Sequence, residues 1–185
     1  MVNKDLLNEI KKLYRENDEE IMEKFNRSLS FQDGMFDRWK RAERLGFGKG
    51  TSIYNSSLVF GNVEVKNDTW IGPNTLLDGS GGKITIGSNC SISAGVHIYT
   101  HDTVLWALSG GLKSKKFGSV DIGDCCYIGS QSVIRMGVTI DSRSVVAANS
   151  FVSSNVEKFS IVAGTPAKRI GRVEFNNDEV ELKYD

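Results

Sequence analysis

Residues 122–152 read IGDCCYIGSQSVIRMGVTIDSRSVVAANSFV, and an apolar side chain returns there at every sixth position. The same six-residue spacing of apolar residues continues upstream, with two interruptions. Its members are Phe47, Ile53, Val59, Val65, Ile71, Leu77, Ile86, Ile92, Ile98, Ile122, Ile128, Ile134, Ile140, Val146 and Val152. A helix repeats about every 3.6 residues and a strand every 2, so neither alone produces this spacing. The period predicts a parallel β-helix, an all-β solenoid.

A second, usually small residue follows each apolar one by four positions. These residues are Thr51, Ser57, Val63, Thr69, Thr75, Cys90, Val96, Cys126, Ser132, Val138, Ser144 and Ser150. Two inward positions per hexad predict that three hexads close one triangular coil, with the small residue at the corner. Each coil then packs mainly on its neighbours.

Composition favours one domain without nucleic acid as its general partner. The 185 residues include 23 basic and 23 acidic side chains, whereas nucleic-acid binders carry a basic excess. Met1 to Asp5 lack the apolar core of a signal peptide, and no apolar run approaches the roughly 18 residues of a membrane span. We expect a cytoplasmic location.

The three cysteines are a poor disulfide framework, because their number is odd and they form no CxxC pair. Cys90 and Cys126 fall on small inward positions and are predicted to be buried packing residues. Cys125 has no evident base beside it, and a catalytic thiol is the minor alternative.

The chain before the repeats has helical rather than hexad spacing. Residues 3–27 are predicted to be helical, with Asn17-Asp18 as a candidate break, and a further short helix ends near Gly46. These helices either cap the first coil or shape a substrate pocket. We therefore divide the chain into a helical segment (1–46), the solenoid (47–160) with a loop insertion at about 102–120, and a C-terminal turn and tail (161–185).

The two interruptions of the repeat are the places to look for function, since insertions leave a solenoid as loops. Between Leu77 and Ile86 the spacing is nine residues instead of six, and glycines permit the turn. After Ile98 the register is lost until Ile122. Lysines 113, 115 and 116 in the second loop are either a solvated face or part of a cover over a neighbouring subunit's site.

Both histidines of the chain, His97 and His101, precede the second loop. Neither occupies an inward position. An imidazole with a pKa near neutrality is suited to general base catalysis, and Asp102 follows His101 directly.

Three motifs, residues 96–102 (VHIYTHD), 122–130 (IGDCCYIGS) and 163–170 (AGTPAKRI), resemble those of the hexapeptide-repeat acyltransferases. Within that family the chain looks most like sugar O-acetyltransferases of polysaccharide and O-antigen pathways and like galactoside and maltose acetyltransferases. The resemblance implies a left-handed β-helix that forms homotrimers with sites between subunits. It also implies transfer of an acetyl group from acetyl-CoA, as co-substrate, to a saccharide hydroxyl.

The resemblance assigns roles to residues around the acceptor. His101 matches the catalytic base, and Asp102 is a candidate to orient its imidazole. His97 either lines the acceptor pocket or packs on the next coil. Asn74 or Asp78 corresponds to an acceptor-binding residue, and both residue types also favour turns.

The resemblance also suggests a path for coenzyme A. The backbone at Ser130 is the candidate oxyanion donor, with Tyr127 nearby where relatives often carry tryptophan. Other candidates are Ala148 beside the pantetheine arm, Gly164, Thr165 and Pro166 near the adenine, and Lys168, Arg169 and Arg172 at the phosphates. A solvated basic tail is the alternative for these three cations.

Other functions stay open. The same fold could acetylate the amine of a nucleotide-linked amino sugar, and some hexapeptide proteins are structural and without catalysis. A zinc hydratase needs three protein ligands, commonly histidines, and the chain has two histidines, so no metal is expected.

Overall fold

A computed structural model describes residues 3–177 and 179–185. Its helices are α1 Lys4–Phe25, α2 Phe31–Met35, α3 Arg38–Arg44 and α4 Val104–Leu108. Its strands are β1 Ser52–Ile53, β2 Leu58–Val65, β3 Trp70–Ile71, β4 Leu76–Ile86, β5 Ser91–Ile92, β6 His97–Tyr99, β7 His101–Asp102, β8 Lys116–Phe117, β9 Val120–Ile122, β10 Tyr127–Ile128, β11 Val133–Ile134, β12 Thr139–Ile140, β13 Val145–Val146, β14 Phe151–Val152, β15 Ser160–Gly164, β16 Ala167–Asn176 and β17 Glu179–Tyr184.

The strands stack in parallel because the chain returns to the same row at intervals set by three hexads. Ser52 pairs with Trp70, which lies 18 residues later, and Tyr127 pairs with Val145, again 18 residues later. Across the second interruption the same row continues from Ser91 to Tyr127, 36 residues apart. The parallel, mostly β architecture is thus confirmed, and its left-handed turn stays a prediction.

The core follows the two repeating positions of the sequence. Every apolar hexad position except Val59 is buried, and Ile53, Ile92, Ile128 and Ile134 have no exposed surface. The small positions are buried as well, except for Val63, which is partly exposed. Their hydroxyls are satisfied within the stack: the Ser57 hydroxyl, for example, donates to the Gly72 carbonyl of the next coil at 2.8 Å. Buried polar groups in this core therefore tie successive coils together.

The N-terminal segment is helical, but its helices do not share one role. α1 is unbroken at Asn17 and Asp18, because these side chains bond to the segment that follows: Asn17 donates to the Gly34 carbonyl and Asp18 accepts from the Leu29 amide. None of the residues of α1 is buried. α3 covers the first coil instead, where the Arg41 guanidinium donates to the Tyr54 and Ser57 carbonyls.

The C-terminal part is more regular than a turn and tail. β15 continues the parallel stack by pairing with β13, so the expected boundary at 160 falls beside the start of a strand. β16 then turns back antiparallel on β15, and β17 on β16. No helix in the described part of the chain is long and apolar enough to span a bilayer.

Candidate active site

The two interruptions of the repeat lie next to each other in space. β4 carries the first interruption, and it pairs in parallel with β6 and β9, the strands on either side of the second. β7 and β8, inside the second interruption, form an antiparallel pair that contacts β4. Two insertions that are separate in sequence therefore build one surface.

Gly81 is one of the residues where the two insertions touch, and Lys83 is another, since its amide donates to Ser119 Oγ at 3.2 Å. The Gly81 amide donates to Thr100 Oγ1 at 3.0 Å, and this hydroxyl donates to the Asp78 carbonyl at 2.7 Å. A Cβ at position 81 would lie 2.6 Å from the Thr100 carbonyl oxygen, 2.7 Å from His101 Cβ and 2.8 Å from Phe117 Cδ1. These contacts are too short for a side chain, so glycine is required for β7 to rest on the first insertion.

The imidazole of His101 faces the carboxylate of Asp78. Its Nδ1 lies 3.7 Å from Asp78 Oδ2 and is buried without a hydrogen-bond partner in the described chain. The amide and the hydroxyl of Ser80 both donate to Asp78 Oδ1, which fixes the carboxylate. The His101 side chain is 31% exposed and that of Asp78 only 11%. One side of the imidazole thus meets a buried anion while part of the ring is open to solvent.

Asp102 does not occupy the orienting position that its place in the sequence suggested. Its Oδ1 accepts a hydrogen bond from the Val104 amide at 2.7 Å, and its Oδ2 lies 3.9 Å from Arg135 Nη2. Successive side chains of a strand point to opposite faces, so His101 and Asp102 diverge. The carboxylate that stands beside the imidazole is Asp78, for which the sequence had suggested acceptor binding.

His97 belongs to the same outward face as His101. Ile98 and Thr100 point inward and are fully buried, whereas His97, Tyr99 and His101 alternate with them and are partly exposed. The three rings form a row with edge-to-face contacts, at centroid distances of 6.0 Å for His97–Tyr99 and 6.4 Å for Tyr99–His101. The Tyr99 hydroxyl lies 3.3 Å from His97 Nδ1. The row places His97 on the same surface as His101, with Tyr99 between them.

Asn74 is a corner residue. It is exposed, has a φ of 56°, and its amide donates to Ser56 Oγ at 3.2 Å. Gln131 and Asn149 have the same left-handed backbone at the matching corners of later coils. The geometry of Asn74 is that of a turn, the alternative open at the sequence level.

Three of the coenzyme candidates lie near one another. Tyr127 opens β10 and is 45% exposed. Ser130 and Ala148 occupy the same corner on successive coils, where the Asn149 amide donates to the Ser130 carbonyl at 2.9 Å. A Cβ at Gly129 would lie 2.5 Å from the Ala148 amide nitrogen, so these corners are stacked backbone on backbone.

The C-terminal candidates divide into two groups. Gly164, with a φ of 98°, and the cis Thr165–Pro166 bond form an exposed turn, and the exposed Lys168 and Arg169 follow it at once. Arg172 lies further along β16, opposite Ser160, and forms an ion pair with Glu174. Lys183 bonds to the same carboxylate, and the two cations lower the pKa of Glu174. Arg172 is therefore paired with an acidic side chain of the hairpin, whereas the Arg169 guanidinium donates to the Gly171 carbonyl at 3.3 Å.

The cysteines behave as packing residues. Cys90 and Cys126 are buried on neighbouring coils, as predicted, while Cys125 is exposed at a corner. The contact with Cys90, together with burial, raises the pKa of the Cys126 thiol. In residues 3–177 and 179–185, no group of three or more His, Cys, Asp or Glu side chains is arranged to hold a metal ion.

Several residues of this surface were missed at the sequence level. Ser80 and Gly81 looked like ordinary turn residues, and Phe117 and Arg135 carried no motif. Their only signal is position: the first two lie in the first interruption, Phe117 lies in the second, and Arg135 follows the hexad position that pairs with Ile98.

Comparison with known proteins places the chain in a family. Residues 69–100 and 119–154 match the profile described as hexapeptide repeat of succinyl-transferase. The carnitine operon protein CaiE of Escherichia coli is 31% identical over 137 residues, which cover 71% of this chain and 68% of CaiE. The chain belongs to the hexapeptide-repeat acyltransferase family. Parallel stacking of 18-residue coils is the architecture expected for this family.

Two further members of the hexapeptide-repeat family are informative. The structure of a hexapeptide-repeat-containing acetyltransferase from Vibrio cholerae is 30% identical, with a TM-score of 0.66, and covers 89% of this chain and 92% of its own. The same protein has been determined in complex with acetyl coenzyme A. A chloramphenicol acetyltransferase of Klebsiella aerogenes is 31% identical over 121 residues, or 54% of this chain. The match spans 56% of that enzyme, little more than half its length.

Proposed function

We propose that this protein is an acetyltransferase that moves an acetyl group from acetyl-CoA to a hydroxyl of a saccharide. Family membership and the acetyl-CoA complex of the Vibrio cholerae relative support the donor. The observation that carries the proposal is the imidazole of His101, held against the buried Asp78 carboxylate where both insertions meet. We further propose that the coils turn left-handed, that the protein is a cytoplasmic homotrimer, and that its sites lie between subunits.

His101 is the proposed base. With a proton on Nδ1 directed at Asp78, its Nε2 is free to accept one, which is the tautomer that general base catalysis requires. Catalytic hydrogen bonds are often long in the unliganded state, so the 3.7 Å separation is expected to shorten when substrates bind. Ser80 contributes by holding the carboxylate in place.

The chemistry is a direct transfer. Bound acetyl-CoA supplies a thioester carbon that is open to attack. His101 Nε2 takes the proton of the acceptor hydroxyl while its oxygen bonds to that carbon, and the carbon–sulfur bond then breaks. The same nitrogen returns the proton to the departing sulfur, so His101 ends as it began. A positioned base of this kind contributes about 10²- to 10⁴-fold to the rate.

Acetyl-CoA is a long molecule, and the residues suited to bind it lie on separate elements of the chain. Ser130 is partly exposed and Ala148 is exposed at their stacked corners, and the Ser130 amide is suited to stabilise an oxyanion. Lys168 and Arg169 flank the exposed Gly164–Pro166 turn and are suited to phosphates. Arg172 remains a candidate for the phosphates, although it shares the Glu174 carboxylate with Lys183.

The saccharide acceptor distinguishes our proposal from two others. A neutral amine of a nucleotide-linked amino sugar attacks without strong help from a base, so His101 would matter less. A structural protein would not bind acetyl-CoA at all. His101 beside a buried carboxylate favours a hydroxyl acceptor, because a hydroxyl is the weaker nucleophile and gains more from a base.

The test measures release of coenzyme A thiol with a panel of free sugars, methyl glycosides, nucleotide sugars, nucleotide amino sugars and chloramphenicol. We expect release with a sugar that lacks an amine, and a loss of about 10²- to 10⁴-fold in His101→Ala. Acetyl-CoA binding, followed by calorimetry, should persist in that variant. Near-normal turnover of His101→Ala would remove the base assignment, and activity only with amino sugars would establish the N-acetyl alternative.

A further inference from the structure

We infer that Phe117 is the platform on which the acceptor stacks, and that it sets the affinity for the acceptor without taking part in the chemistry. This inference rests on the proposed function, because it extends the site around His101. Phe117 lies opposite His101 in the β7–β8 pair. Directly opposed residues of an antiparallel pair project from the same face, so ring and imidazole share one side.

Gly81 brings the ring close to the base. A Cβ at position 81 would touch both His101 Cβ, at 2.7 Å, and Phe117 Cδ1, at 2.8 Å. The Cβ of His101 and one edge of the phenyl ring therefore both lie against Gly81, which has no side chain to displace them. Phe117 nevertheless remains 62% exposed. One edge of the ring rests on the backbone of the first insertion, and most of its surface faces solvent.

An apolar ring exposed beside a base has the chemistry of a binding wall. Binding sites pair apolar and aromatic walls with a few polar groups that fix orientation. The polar groups on this face are His97 and Tyr99, which lie in one row with His101. A pyranose ring has the matching character, with C–H faces for the aromatic wall and hydroxyls at its edge.

The expected result is a change in acceptor KM alone. Burying one face of the ring against a sugar removes apolar area from water, so Phe117→Ala should raise the acceptor KM about tenfold while kcat and the acetyl-CoA KM stay within about twofold. Phe117→Tyr should restore the wild-type KM, since it keeps the ring. The acceptor is whichever saccharide of the panel releases most thiol with the wild-type enzyme.

The matched control is Leu108→Ala, which removes an even more exposed apolar side chain (81%) from the same insertion. We expect it to leave the acceptor KM unchanged. An unaltered acceptor KM in Phe117→Ala, or an equal rise in Leu108→Ala, would overturn the stacking role while the proposed function stands. A lower kcat at unchanged KM would also overturn it. A panel in which no saccharide releases thiol would instead defeat the proposed function, and the platform with it.

Discussion

Asp78 Oδ2 lies 3.7 Å from His101 Nδ1, although the two residues are 23 positions apart in sequence and a different carboxylate follows His101 directly. Parallel pairing of β4 with β6 explains this contact. It sets Asp78 opposite Tyr99, which is only two positions before His101. The proposed base and the carboxylate beside it therefore come from different insertions.

The two carboxylates around His101 can be told apart by substitution. Asp78→Asn should lower kcat, by no more than the roughly 10²- to 10⁴-fold that a positioned base contributes, because an amide no longer favours the proton on Nδ1. Asp102→Asn should change kcat much less, since the amide oxygen can still accept from the Val104 amide. Initial rates of thiol release measure both. A larger loss in Asp102→Asn would return the orienting role to that residue.

Gly81→Ala should impair catalysis by displacing His101, because no catalytic group is removed. The new methyl group would collide with the Thr100 carbonyl and the root of His101, and relieving such overpacking costs about 1–3 kcal/mol. We expect a folded protein with lowered thermal stability and a strongly reduced rate. Gly34→Ala serves as the control, because a Cβ there meets nothing closer than 3.7 Å. Wild-type activity in Gly81→Ala would show that the close contact of Gly81 with Thr100 and His101 is not needed for catalysis.

Ile128→Ala tests the packed column of hexad residues. Ile128 has no exposed surface, and truncating such a side chain costs about 2–5 kcal/mol of unfolding free energy. Denaturant titration should show this loss, whereas Leu108→Ala, at an exposed site, should unfold close to the wild type. Similar midpoints for the two variants would contradict the assigned inward register.

Thiol chemistry should report the burial of the cysteines. Under native conditions iodoacetamide should modify Cys125 and spare Cys90 and Cys126, because both are buried and the pKa of Cys126 is raised. Mass spectrometry should find one adduct per chain, rising to three in denaturant. Two or three adducts in the native protein would place the small hexad positions at the surface.

Periodicity predicted most of the scaffold from sequence. Burial of the hexad positions follows from the six-residue period alone. The two positions that are only partly buried, Val59 and Val63, lie in β2, where the strand register shifts between Gly61 and Val63. The helix over α1 was predicted with a candidate break at Asn17-Asp18 that the structure lacks, and the single short helix predicted to end near Gly46 is two helices, α2 and α3. The helix continues through Asn17 and Asp18 because their side chains bond to the segment that follows α1.

The site was predictable only in part, because its contacts are long-range. His101 was identified from its motif, yet the sequence offered Asp102 as its neighbour when alternation along a strand sends the two side chains apart. The contact of Asp78 with His101 could be found only from the order in which the strands stack. The ion pair of Arg172 with Glu174 depended likewise on a C-terminal hairpin that the hexad pattern does not reach.

The pairing of Ser91 with Tyr127 across 36 residues has a consequence for how such proteins diversify. Because the row resumes in register after the insertion, the stack does not depend on the length or composition of what lies between β6 and β9. With Phe117 in its proposed role, grafting residues 103–119 between members of the family is expected to change acceptor preference while the coils stay the same.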